Sequence, residues 1–112
     1  MDSASDFRIA YVTLNSIETA THICRILVSE NLAASCTILP NAITFFRSEK
    51  IISEKNECLI MIKTMKNLVE KLISRVDELH YGEVTEIVTV KIQDAAPPYL
   101  EWMESALNEN QL

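Results

Sequence analysis

CLIMIKT, running from Cys58 to Thr64, decides the fold. Its first five residues are apolar without a break, so both faces of an extended chain there are hydrophobic, as a central strand requires. Downstream, Leu68, Val69, Leu72, Ile73, Val76 and Leu79 recur at three- and four-residue spacing. Lys66, Glu70, Lys71, Ser74 and Asp77 take the other side, which predicts an amphipathic helix with Thr64 as its cap. His80, Tyr81 and Gly82 end that helix, and a further strand runs from Val84 to Ile92. Pro97 and Pro98 suit the opening of a last short helix with Leu100, Met103 and Leu107 facing inward.

Upstream, Ser48, Glu49 and Lys50 form a turn without the Asn-Gly chemistry that tight hairpins prefer. From Ala33 to Arg47 the chain reads as extended, interrupted at Pro40 and Asn41, where an edge position or a bulge is expected. Ile17, Ala20, Cys24, Leu27 and Val28 mark a helix reaching about Glu30, with Asn15 as cap and Glu18 three residues on. FRIAYVTL, from Phe7 to Leu14, is a buried first strand. The order is β-α-β-β-α-β with an added C-terminal helix: an α+β, ferredoxin-like sandwich whose two helices share one sheet face. The opposite face then needs cover, and self-association is the expected solution. One domain is expected over residues 7–108, with a disordered lead at 1–6 and a tail at 109–112.

Composition agrees with a folded domain and narrows its partners. The 112 residues are 48% hydrophobic and 23% charged, ordinary globular usage. A formal charge of −6 with ten scattered Lys and Arg residues argues against nucleic acid and against anionic membranes. Three cysteines (Cys24, Cys36 and Cys58) form no C-x-x-C pair, and their odd number suits a reducing compartment. With a polar, acidic start and no apolar run able to cross a bilayer, a cytoplasmic location is expected.

Few residues point to chemistry. Glu86 is in phase with Val84, Val88, Val90 and Ile92, where a carboxylate is costly unless it is paired or lies at a cleft mouth. His80 precedes it across the helix-to-strand turn; the two are candidates for holding a cation, against the plainer role of a histidine at a helix C-terminus. His22 falls off the apolar stripe and is expected in solvent. Cys24 and Cys58 read as small core hydrophobes, and no closed zinc site can be written from the cysteine spacing. Trp102 is a core or interface anchor. Lys63 and Thr64, closing their strand, can present an ammonium and a hydroxyl to an anion.

Several segments together resemble the CutA family of divalent-cation tolerance proteins. Leu32-Ala33-Ala34 followed by Ile38-Leu39-Pro40 is similar to the family's second-strand signature. Ile62-Lys63-Thr64 is similar to the end of its third strand, Glu78-Leu79-His80 with Glu83-Val84 and Glu86-Ile87 to its histidine-containing segment, and Tyr99-Leu100-Glu101-Trp102 to its last helix. The resemblance spans about residues 8–107. It implies a PII-like homotrimer, a part in the response to metal ions such as copper, and no required cofactor or catalysis. It places Lys63, Tyr99 and Trp102 as ligand-binding and His80 and Glu86 as metal-binding residues at clefts between subunits. The chain departs from the family pattern at the hairpin tip, in having Val12 where some members carry cysteine, and in having Ser35 where the family cysteine follows Leu-Ala-Ala. Cys36 is one step on, hence on the other strand face.

An acylphosphatase-like enzyme on this fold would need an arginine-bearing phosphate cradle after the first strand, where Thr13-Leu14-Asn15-Ser16 stands instead. The alternative to a metal-responsive trimer is a PII-like trimeric sensor of a small anion or nucleotide held in the same clefts.

Overall fold

The computed structural model describes residues 6–80 and 85–108. Its elements are β1 (Phe7–Leu14), α1 (Ile17–Ser29), β2 (Ser35–Ser48), β3 (Ile51–Met65), α2 (Val69–Leu79), β4 (Glu86–Lys91) and α3 (Pro97–Leu107). The sheet is antiparallel throughout, in the order β2-β3-β1-β4, with β3 and β1 at its centre. This is the α+β order expected from the sequence. The lead and tail expected at the two ends fall on residues 1–5 and 109–112, outside the described residues, as does Gly82; Asp6 is described and half-buried.

The main core lies between one sheet face and the helices. Ala10, Val12 and Leu14 of β1 and Cys58, Ile60 and Ile62 of β3 meet Ala20, Ile23, Cys24 and Leu27 of α1 and Leu72 and Val76 of α2. A second cluster gathers Phe7 and Ala34 under Leu100, Met103 and Leu107, the three inward residues expected of α3. Arg75 of α2 clasps Glu30, the residue capping α1, through Nε–Oε1 and Nη2–Oε2 contacts of 2.8 Å each. That hydrogen-bonded pairing holds the Glu30 carboxyl below its usual pKa.

Several local expectations are corrected. Ser16, not Asn15, caps α1: its hydroxyl accepts from the Thr19 backbone N–H at 3.2 Å, because the helix begins at Ile17, one residue later than a cap at Asn15 would set it. The buried stripe accordingly includes Ile23, while Ile17 and Val28 are exposed. Thr64 caps nothing. It is fully buried near the end of β3 and donates to the Leu32 carbonyl at 2.7 Å, and a 3₁₀ turn at Lys66–Leu68 leads into α2 instead. The strand that holds Cys58–Ile62 is far longer than its apolar run, because β2 and β3 form a hairpin arm whose largely exposed distal half, of mixed polarity, is held by cross-strand pairing from Ala42↔Glu57 to Ser48↔Ile51. The fourth strand is described over Glu86–Lys91, and its expected start at Val84 lies outside the described residues.

Candidate functional site

Alternation along β4 places Glu86, Val88 and Val90 on the sheet face that α1 and α2 leave open, while Ile87 packs into the core. Of the aliphatics in phase with Glu86, Val88 and Val90 thus mark an uncovered surface, Ile92 packs against the second cluster, and Val84 lies outside the described residues. Cross-strand register sets Thr13 of β1 opposite both Glu86 and Leu59, and the Thr13 hydroxyl donates to Glu86 Oε2. His80 closes α2 as its C-cap and reaches forward, its Nδ1 lying 2.9 Å from Thr85 Oγ1. Thr13, His80 and Glu86 line one cleft of about 210 Å3, together with Leu14, Asn15, Lys55 and Glu57.

Glu57 was not among the residues expected to carry chemistry. It lies in phase with Leu59 and Met61 on β3, and it is 4% exposed. Lys55 Nζ approaches its Oε2 at 3.4 Å, but Oε1 has no hydrogen-bond partner among the described residues. A carboxylate taken out of water normally has its lone pairs satisfied, so this oxygen identifies the cleft as a place with unmet demand for positive charge. The clue available in the sequence was the two-residue spacing back from Leu59, which the shorter strand reading cut off. Thr13 becomes visible only once the β1–β4 register is known.

A second group forms where α3 meets the end of β3. Lys63 Nζ sits 5.5 Å from the centre of the Tyr99 ring, and Tyr99 stacks on Trp102 with ring centres 5.7 Å apart and planes 19° from parallel. Both rings remain substantially exposed, so Trp102 is not a core anchor of this subunit. Lys63 and Thr64 point to opposite strand faces and cannot serve one anion together. His22 is exposed, as expected. The five expected site residues therefore divide into two places, His80 with Glu86 and Lys63 with Tyr99 and Trp102. Among the described residues no three His, Cys, Asp or Glu side chains stand close enough to form a closed metal site.

A family described as "CutA1 divalent ion tolerance protein" matches residues 8–106. The chain belongs to the CutA1 family. Among its CutA relatives, "Divalent-cation tolerance protein CutA" of Thermus thermophilus is 35% identical over 95 residues, covering 85% of this chain and 92% of that protein. "Protein CutA" of Mus musculus is 34% identical over 94 residues, covering 84% of this chain but 53% of the mouse protein. The chain spans between about half and two thirds of the length of the vertebrate CutA relatives it matches. The crystal structure of CutA from Xylella fastidiosa superimposes with a TM-score of 0.85 at 32% identity, covering 92% of this chain and 99% of that one. The CutA-like segments quoted from the sequence lie inside the matched range, although Glu83 and Val84 fall outside the described residues. No described helix is long and apolar enough to cross a membrane.

Proposed function

We propose that this CutA-family chain assembles as a PII-like homotrimer and acts by binding rather than by turnover, in the response to divalent metal ions. It captures a cation such as copper weakly in the cleft lined by His80, Glu86 and Glu57, which within one subunit form no closed three-ligand site. The observation that carries this reading is the buried Glu57 oxygen without a partner, set among an imidazole and a second carboxylate. Nitrogen and carboxylate oxygen suit Cu2+ and other borderline divalent ions, and the hydrogen bonds from Thr13 and between His80 and Thr85 orient the donors before a cation arrives. Lys55 beside Glu57 keeps capture weak, since an incoming cation competes with the ammonium.

The open sheet face supports assembly. Val88 and Val90 are 64% and 44% exposed, and they sit beside Tyr11 and Ile9 in the register. Apolar residues grouped in this way call for cover. Equilibrium titration with Cu2+, and with Zn2+ as a redox-inactive control, tests the cleft. Glu86→Gln is expected to weaken both ions by about tenfold or more, the scale of losing a metal-site partner, with the mass in light scattering unchanged. Unaltered affinity in that variant would put the cation elsewhere.

A second reading, a trimeric sensor of a small anion, is favoured by one observation: an ammonium placed beside two stacked, exposed rings, where a planar anionic ligand can both pair and stack.

A further inference from the structure

Cys24 and Cys36 stand far apart in sequence, yet α1 and the start of β2 bring them to one cavity of about 630 Å3, lined also by Arg25, Ile26, Val28 and Ser29. Cys36 faces Ile62 across the β2–β3 ladder, so it lies on the core side of the sheet beneath α1. Cys24 is almost wholly buried, Cys36 is half-buried, and both belong to the same core cluster. The neighbouring Cys24 thiol, with burial added, pushes the Cys36 pKa up, while the Cys36 thiol lowers that of Cys24. Cys58 belongs to the same core but does not line this cavity.

We propose that Cys24 and Cys36 form a two-thiolate site for a soft monovalent cation, cuprous copper or silver, at the cavity between α1 and β2. Several features select that class of ion. The lining offers two sulfur donors and neither carboxylate nor imidazole, which excludes the oxygen-rich shells of hard divalent ions and suits two-coordinate d10 ions. The Ser29 hydroxyl is engaged with the Ile26 carbonyl at 3.1 Å and does not compete as a ligand. Binding replaces two thiol protons by one cation and leaves the bis-thiolate complex with a single negative charge, and Arg25 on the cavity wall carries the compensating positive charge. No oxidation state changes: the ion enters as Cu(I), both protons leave to solvent, and two sulfur–metal bonds form. This site is separate from the His80–Glu86 cleft and does not depend on the reading of that cleft.

The test is an anaerobic competition in which the reduced protein withdraws Cu(I) from its coloured bathocuproine disulfonate complex. The unmodified chain is expected to take up one equivalent. Cys24→Ser and Cys36→Ser should each weaken uptake by more than about tenfold, while Cys58→Ser leaves it unchanged. Uptake that survives either substitution, or that vanishes with Cys58→Ser, overturns the site. Because Cys24 lies in the core, a measurement on the unsubstituted protein runs alongside. Stoichiometric Ag(I) is expected to protect Cys36 from alkylation by iodoacetamide, and an unprotected Cys36 would overturn the proposal whatever the variants do.

Discussion

Thr64 shows how one hydroxyl can fix the junction of two elements. Buried at the end of β3, it satisfies the Leu32 carbonyl just beyond α1, an oxygen that accepts no ladder or helix bond among the described residues. Thr64→Val keeps the shape and removes the donor. It is expected to cost about 1–3 kcal/mol in urea denaturation, the penalty of an orphaned buried carbonyl. The sequence marked Thr64 as polar at a strand end but could not tell a cap from a buried donor, because the distinction depends on where Leu32 returns. The candidate site was legible to a similar degree. Glu86 and His80 stood out as polar groups at the margins of apolar patterns, and they do share a cleft. Glu57 and the Cys24–Cys36 contact were not legible, since each arises from residues joined only by register or by helix-on-sheet packing.

The hairpin arm carries the largest departure from what local pattern predicts. Its tip is Glu49-Lys50, and both residues have positive φ, 48° and 70°, so the backbone adopts the form that Asn-Gly favours without either residue. The double substitution Glu49→Asn, Lys50→Gly should therefore raise stability by about 1 kcal/mol, measured as a higher thermal midpoint of the assembled protein. An unchanged or lower midpoint would mean that the Glu49 and Lys50 side chains contribute contacts that offset their backbone cost. The turn was placed correctly by its polarity, whereas the length of β3 was not, because Ser53, Glu54, Lys55 and Asn56 lack strand-like alternation and are held extended only by β2. Helix α3 was the most legible element. Two prolines at its start and a clean three- and four-residue apolar spacing leave little for tertiary context to change.

At the scale of the molecule, the fold has one covered and one open sheet face, and an arm that makes it 50 Å long against 27 and 22 Å in the other directions. An open sheet face was readable in the sequence from the two helices falling on one side, and Val88 and Val90 are exposed on it. Val88→Asp tests it directly. Val88 is exposed in the single subunit, so the change leaves the subunit fold intact, yet an unpaired charge in an interface core costs several kcal/mol and should convert a trimeric mass to a monomeric one in light scattering. A trimer that persists would mean that this face is not the interface. The arm's own orientation rests on a single irregularity at its root. Leu39 pairs with Leu59 and Ala42 with Glu57, so Pro40 and Asn41 together stand opposite Cys58 alone. Up to Ile38, even-numbered residues of β2 face the helices; beyond the extra residue the odd ones do, and Ile43 and Phe45 inherit that side. The arm is thus written in a shifted reading frame. Losing Asn41 would preserve its length almost unchanged and turn it inside out, so a descendant gene could trade side chains along the arm far more freely than it could delete one codon at its base.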